Sequence, residues 1–434
     1  MKIHEIRKNA LHYGIFSFFI MISIGYISTN NYSRFFIEPI RLISEIGVIF
    51  YLTLILYKSK LHHKHLIGLS LYVFLLAIGI AHAMLNESIE IGSTGLLVNA
   101  IITVCGILLL GYQDSNICSI RFAKWFFFYV SAGTLLMVLI GGLEFTPVPH
   151  FNFDYEAGVN SMETLYSQEM SKFFGFGAMA AAFLAINDRG RWMKYLYFSF
   201  VLVFLLLSLL GGARGDSIFA LVLVISYLVI SNSIRGLLWL GSILLIFYIG
   251  IGDWSGIDNF QIFQRMSGLD GDFGQRDVLL AQSFELLLKE PVCMVFGCGL
   301  GYFQSYFGYP FGMYPHNVLV ESFIVFGVPI SLAFIFIVAG GVWRYYRDSR
   351  GADLLVLFFI YSTLIRLKSG SVFGDWFFTA GCIYFSSIYM QKISIGMPTH
   401  TRLTSANLIA EMDRNSGKNV ISSYSGRKFL TPHH

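Results

Sequence analysis

Three polar residues have types and settings suited to chemistry on an anionic group. Arg214 stands in Gly-Gly-Ala-Arg-Gly-Asp between two apolar runs, Arg276 in a long polar loop, and His316 at the opening of the next apolar run. A guanidinium presents a planar fork that matches phosphate oxygens two at a time. The glycines around Arg214 let main chain and ligand approach closely. His316 follows Pro315, which favours a first helical turn, and a helix N-terminus keeps an imidazole neutral and able to accept a proton. Read this way, the residues are two anion-binding cations and a general base. Taken singly, each serves equally well as an interfacial anchor, so the reading depends on the elements that carry them.

Those elements are apolar. The chain has 434 residues, of which 55% are hydrophobic and 13% charged, with mean hydropathy +0.64. A soluble domain carries about 25% charged residues. Apolar runs of the about 17–25 residues that cross a bilayer as helices recur about a dozen times. They cover 13–29, 40–57, 66–85, 93–111, 122–142, 173–186, 195–211, 217–230, 237–252, 316–339, 354–365 and 372–390; the sixth, eighth and eleventh are short. They lack the polar–apolar alternation of barrel strands. The expectation is an all-α polytopic membrane protein with about 12 transmembrane helices. The first run has a basic flank but no small-residue cleavage site, and is read as a retained span.

Basic residues orient the spans. Lys64, Arg121, Arg189, Arg191, Lys194, Arg235, Arg344, Arg347 and Arg350 fall in one set of connecting segments, while the other set leans acidic. Both termini are therefore expected in the cytoplasm, with Arg214, Arg276 and His316 on the outer side. The net charge of +4 reflects this topology and gives no reason to expect a nucleic-acid partner. Two outer loops, 143–172 and 253–315, are enlarged. In the second, the spacing predicts an amphipathic helix over 277–290 with Leu280, Phe284, Leu287 and Leu288 on one face, ended by Pro291. Such a helix either lies in the membrane interface over the site or caps the bundle without touching substrate. Residues 391–434 are polar and aperiodic, so a disordered cytoplasmic tail is expected after a membrane domain over 1–390.

Ionisable residues in or beside the spans are informative because their burial in lipid is costly. Arg41 and Glu45 lie one turn apart and are placed to pair. With His82, Glu321, Arg366 and Asp375 they all fall in the outer half. A proton-coupled transporter would carry such groups along a path through the midplane; a polar bowl open to one side favours chemistry. For Arg41, Arg366 and Lys368, snorkelling to the interface accounts for the position equally well. Cys293 and Cys298 are placed either to pair in an oxidising compartment or to remain free thiols. Cys105, Cys118 and Cys382 have no metal-ligand spacing, and neither a metal nor another cofactor is expected.

The motifs resemble a known family. His316-Asn317 runs to Gly327 in PHNVLVESFIVFGVP, preceded by GGARG around Arg214 and by FGQRDVLLAQSFELLLKEPVCMVFGCGLGYF around Arg276. In this order, with the spans and the enlarged loop, they resemble the O-antigen polymerase (Wzy) and O-antigen ligase (WaaL) superfamily of bacterial envelope glycosyltransferases. The resemblance is strongest over 208–329. It implies a GT-C-like helical fold in the bacterial inner membrane and a site facing the periplasm. It also implies metal-independent transfer of a glycan from undecaprenyl pyrophosphate to a sugar hydroxyl in lipopolysaccharide biosynthesis. Arg214 and Arg276 would hold the pyrophosphate, and His316 would activate or position the acceptor hydroxyl. Glu321 matches an acidic residue that often follows the His-Asn pair; Asn317 and, in the enlarged loop, Arg265 are further substrate-binding candidates. The family's glycine turn usually has Ser before the Arg, where this chain has Ala213. The runs around Cys298 and His316 look more like a polymerase, which joins lipid-linked repeats. The alternative is a ligase acting on lipid A–core, and the alternative of another class is a lipid-linked oligosaccharide transporter. Implied partners are the lipid-linked glycan, membrane lipid and a chain-length regulator of the co-polymerase (Wzz) type.

Overall fold

The computed structural model describes residues 43, 46–54, 56, 63–88, 93–111, 120–139, 143–144, 150–151, 163–188, 190–211, 213–231, 233–234, 236, 238, 241–242, 276–310, 313–348 and 353–396. The expected run at 13–29, most of that at 237–252, Arg41, Glu45, Cys118, Arg265 and residues 397–434 lie outside them. The chain divides into two compact units, Met1–Tyr389 and Met390–His434.

The elements are almost all helical. They run α1 (His63–Leu85), α2 (Ser93–Gly111), α3 (Ile120–Leu139), a two-residue antiparallel pair β1 (Leu143–Glu144) and β2 (His150–Phe151), α4 (Glu163–Asn187), α5 (Arg191–Leu210) and α6 (Arg214–Ile230). After the polar segment come α7 (Arg276–Lys289), α8 (Pro291–Phe296), α9 (Tyr302–Phe307), α10 (Val318–Phe326), α11 (Val328–Asp348), α12 (Leu354–Ser369) and α13 (Trp376–Gly396). Among the described residues, four stretches are long and apolar enough to cross a membrane: His65–Leu85, Met170–Asn187, Trp192–Leu210 and Val328–Asp348. Large apolar side chains stand exposed on three of them, among them Phe74, Trp192 and Phe336 at 57%, 85% and 69%. A water-soluble chain avoids such surface; on helices of this length it is the face turned to lipid. The chain is a helical membrane protein.

Helix α4 lies within the others. Every residue from Met170 to Ala185 is buried, as expected of a helix that is apolar all round. It packs against α3, α5, α6 and α12. The small residues Ala178, Ala180, Ala181 and Ala182, all buried, let neighbouring backbones come close, which is how membrane helices gain packing energy. Phe176 meets Phe358 and Tyr361 edge-on, with ring centroids 4.9 and 5.0 Å apart. Each such pair is worth about 0.5–1.5 kcal/mol beyond its area.

Polar contacts gather at two levels of this bundle. At one, Lys124 pairs with Asp188 at 2.8 Å and Asn187 donates to the Tyr227 hydroxyl at 2.7 Å. At the other, Ser171 near the start of α4 meets Ser208 near the end of α5 and the start of α6. Helices α4, α5 and α6 therefore alternate in direction.

Several expectations are corrected. The run 316–339 is not one span but two helices, α10 and α11, broken at Gly327 (φ +82°). A Cβ there would run into the main chain of Val295, and one at Gly297 (φ +83°) into that of Val325. The two glycines thus let the segment after α8 press against the helix break. Cys298 N–H donates to Ile324 O at 2.7 Å, Gly299 N–H to Val325 O at 3.2 Å and Leu300 N–H to Gly79 O at 3.1 Å. The break consequently leaves its carbonyls satisfied. Cys293 and Cys298 form a disulfide, with Cα atoms 4.8 Å apart, which closes the turn after α8. The amphipathic helix spans Arg276–Lys289 and buries Leu279, Ser283, Leu286 and Leu287; Phe284 and Leu288 of the expected face are exposed. The docking partner selects that face, since Phe303 and Ile324 receive it. Pro291 does not only end α7 but opens α8, because its fixed φ suits a first turn. Helix α4 already begins at Glu163, within the expected outer segment 143–172, and residues 391–396 of the expected tail continue α13.

Candidate functional site

The turn that carries Arg214 is tied down by three buried serines. Ser171 Oγ donates to Ser208 O at 2.7 Å, Ser208 Oγ donates to Ser171 O at 2.8 Å, and Ser217 Oγ donates to Ser208 O at 2.7 Å. Ala213 N–H donates to Ser171 Oγ at 3.1 Å. The main chain of Arg214 then opens α6. These hydroxyls satisfy groups at the ends of α5 and α6 that no helix bond can reach. Sequence reading missed all three, because a serine beside an apolar run carries no distinctive signal.

Two ion pairs flank this turn. Lys368, at the end of α12, bonds Asp216 Oδ1 at 2.5 Å. Asp216 is fully buried, and its Oδ2 has no partner. A Cβ on Gly215 would lie 2.5 Å from Lys368 Cδ, so this glycine leaves room for the lysine stem. Two residues before Lys368, Arg366 Nε donates to Asp375 Oδ2 at 2.8 Å, and a second guanidinium nitrogen reaches the same oxygen. Arg366 and Lys368 are thus partly buried and paired to buried carboxylates, where snorkelling to the interface is at least as good a reading of the sequence. Lys172, also buried, acts electrostatically on both Lys368 and Asp375.

Asn317 and Glu321 hold protein groups. Asn317 is the N-cap of α10: its Oδ1 accepts from Leu319 and Val320 N–H at 3.0 and 3.1 Å. Its Nδ2 donates to Leu367 O at 2.8 Å. Glu321 accepts from Ser371 Oγ at 3.1 Å and from Val372 N–H at 2.9 Å. The first turn of α10 is therefore bolted to the end of α12 and to the turn before α13.

His316 stands one residue before the cap, outside the helix it was expected to open. Its φ of +54° lies in the left-handed region, which costs a non-glycine residue free energy and persists only where the surroundings impose it. Its ring lies against Tyr314, with centroids 4.3 Å apart. Its Nδ1 is buried without a hydrogen-bond partner. The imidazole pKa falls to about 4, through burial first and then the positive field of Arg276. The neutral ring was expected; the cause is burial and a neighbouring cation in place of a helix dipole. Burial also pushes the Tyr314 phenol up, against the opposing fields of Arg366 and Arg276.

Arg276 begins α7 and acts electrostatically on His316, Tyr314 and Lys368. It has no carboxylate bonded to it among the described residues. The structure thus gathers Arg276, His316, Asn317 and Glu321 with Arg366, Lys368 and Lys172, next to the main chain of Arg214. Arg265 lies outside the described residues. Among the described residues no three His, Cys, Asp or Glu side chains converge as a metal-binding set. The arrangement can hold an anion against several cations and keep a deprotonated imidazole beside it. No protein-family model, curated protein or solved structure matches the chain.

Proposed function

We propose that this protein is an O-antigen polymerase: a glycosyltransferase that joins oligosaccharide repeats carried on undecaprenyl pyrophosphate. One observation carries the reading. The half-buried imidazole of His316, its Nδ1 unpartnered and its pKa lowered by burial and by Arg276, lies at the converging helix ends of a membrane protein. A hydroxyl of the incoming repeat attacks the anomeric carbon of the growing chain. The bond from that carbon to the pyrophosphate oxygen breaks. His316 takes the hydroxyl proton, and Arg214 and Arg276 receive the negative charge of the released undecaprenyl pyrophosphate. Positioned cationic donors in a partly dry site are worth about a hundredfold or more in rate each.

The finer architecture belongs to the same proposal: about a dozen spans, a GT-C-like arrangement, both termini cytoplasmic and the site open to the periplasm of a bacterial inner membrane. The asymmetry of Lys and Arg between alternate connecting segments supports it. Cysteine labelling in intact cells tests it: reagent that does not cross the membrane should reach a cysteine placed at 271, and fail at one placed at 349.

Deletion in the native cell tests the activity. Loss of a polymerase leaves the ligase working, so the lipopolysaccharide ladder collapses to core plus one repeat. Bare core, with long glycan retained on the carrier lipid, would identify a ligase instead. An unchanged ladder would remove both readings.

A further inference from the structure

The outer side of α7 and α8 is apolar where a segment between spans should be polar. On α7, Ala281, Phe284 and Leu288 fall at helical spacing and are exposed, away from the face packed on Phe303 and Ile324. Val292, Val295 and Phe296 of α8 extend the stripe. Leu288, Val292 and Phe296 are 78%, 65% and 62% exposed. From Pro291 to Pro315 no residue is charged, whereas about one residue in four is charged in a soluble domain. Charge begins at the edge of the stripe, where Lys289 pairs with Glu285 at 2.5 Å.

The main chain after α8 fixes its depth. Leu300 N–H donates to Gly79 O at 3.1 Å. Gly79 lies six residues before the end of α1 at Leu85, about 9 Å along the helix axis. Asn86 Nδ2 donates to Cys298 O and Ser88 Oγ to Leu300 O, each at 2.9 Å. With the bonds of Cys298 and Gly299 to the helix break, these main-chain groups are satisfied inside protein, the condition for irregular backbone at membrane depth. Helix α8 itself packs against α10 and α11. The spans touched by α8 and this segment carry exposed apolar side chains, Met84 and Leu85 on α1 and Leu332 on α11. The face of α8 therefore continues a surface already turned to lipid. Tyr302 and Tyr306 follow, with rings 5.9 Å apart, and tyrosine favours the headgroup level.

We propose that α8, with the Ala281–Phe284–Leu288 edge of α7, inserts among the acyl chains of bilayer phospholipid as an anchor that sets the depth of Arg276. Amphipathic helices of this kind sink about 5–10 Å into the boundary between headgroups and chains, which agrees with the level of Gly79 on α1. Arg276 begins α7, so a helix held in that boundary keeps the guanidinium among lipid headgroups. The contact requires only a membrane protein and is independent of the reaction proposed above.

The test uses the full-length protein in nanodiscs of phosphatidylethanolamine and phosphatidylglycerol doped with a phosphatidylcholine whose acyl chain bears a diazirine. Photolabel is expected at Leu288, Val292 and Phe296 at yields like that at Phe336 of α11, and not at buried Leu279 or Leu286. A nitroxide at Leu288→Cys, in protein with Cys105, Cys118 and Cys382 replaced by Ser, should meet oxygen several-fold more readily than a water-soluble nickel chelate; one at Glu285→Cys should show the reverse. If the serine background fails to fold, photolabelling decides. Leu288→Glu with Phe296→Glu, eluting as folded protein, should lose most of the label in α8, keep it at Phe336, and shift a nitroxide at Asp277→Cys towards water. Label on α11 but none on α8 would overturn the lipid contact, whether water or a protein partner covers the face. An Asp277 nitroxide at unchanged depth in the folded double variant would overturn the role in placing Arg276.

Discussion

Asn317 and Leu367 are joined by a hydrogen bond of 2.8 Å from side-chain amide to main-chain oxygen, and the same amide oxygen caps α10. One side chain therefore fixes the residue after His316 to the helix end that bears Arg366 and Lys368. Loss of a side-chain N-cap costs about 0.5–2 kcal/mol, and the lost tie adds to it. Asn317→Ala should lower the thermal unfolding temperature in detergent. Asn317→Asp, which keeps the cap acceptor but not the donated bond, should fall between the two. An alanine variant as stable as wild type would show that the tie does not matter.

The Lys368–Asp216 pair makes a different prediction. Removing one partner of a buried ion pair costs about 3–5 kcal/mol, because the other charge is stranded, whereas removing both is far milder. Asp216 is fully buried. Lys368→Met should reduce folded yield sharply, and adding Asp216→Asn should recover much of it. Transfer activity should stay low in the double variant, since the Arg214 turn loses its brace. Strictly additive losses in stability would contradict the pairing.

Acidity should act through His316. Its pKa in the folded protein, about 4, lies below the unfolded value of about 6.5. The unfolded chain therefore takes up the proton first as pH falls. Stability from this group is complete above pH 6.5, falls between 6.5 and 4, and is gone below the folded value. In activity, the acid limb of kcat/KM, which reports the free enzyme, should lie near pH 4. Arg276→Gln removes a cation whose field lowers the imidazole pKa, so it should shift that limb upward. A bound pyrophosphate should raise it as well, so the limb of kcat lies above that of kcat/KM. A limb near 6.5 in wild type, unmoved by Arg276→Gln, would place the titration elsewhere.

Gly297 and Gly327 should not tolerate alanine. Both have φ above +80°, and at each an added Cβ would meet main chain, which cannot swing aside. Gly297→Ala and Gly327→Ala should each lose most of the folded protein, as read by monodisperse elution. Gly308→Ala, where a Cβ meets nothing within 4 Å, should cost only its φ strain. Folded Gly327→Ala in normal yield would contradict the close approach at the helix break.

What was legible in the sequence was the type of element and the set of unusual residues. Helices α1, α2, α5 and α6 match their apolar runs because lipid demands internally bonded backbone over a fixed length. The grouping of His316 with Arg276 was also legible, since both sit at polar edges of apolar runs where charge is costly. The helix break was hidden. Gly327 reads as an ordinary apolar-run residue until the segment after α8 is seen packed against it. The buried face of α7 was misassigned because Leu279 and Leu280, or Leu287 and Leu288, are equivalent in pattern and only the docking partner chooses between them. Arg366 and Lys368 were ambiguous for a related reason: a cation at a helix end snorkels or pairs according to whether Asp375 and Asp216 face it, and sequence distance conceals that.

Reconstitution tests the central claim most directly. Purified protein in vesicles is given only repeat units linked to undecaprenyl pyrophosphate, and the products are resolved by size and mass. Wild type should convert them to longer glycans still attached to the carrier, releasing one undecaprenyl pyrophosphate for each bond formed. Arg276→Ala and His316→Ala, inserted and folded, should release at least about a hundredfold less, with Arg276→Lys little better because an ammonium lacks the fork. No elongation by folded wild-type protein, or undiminished elongation by His316→Ala, would contradict the account.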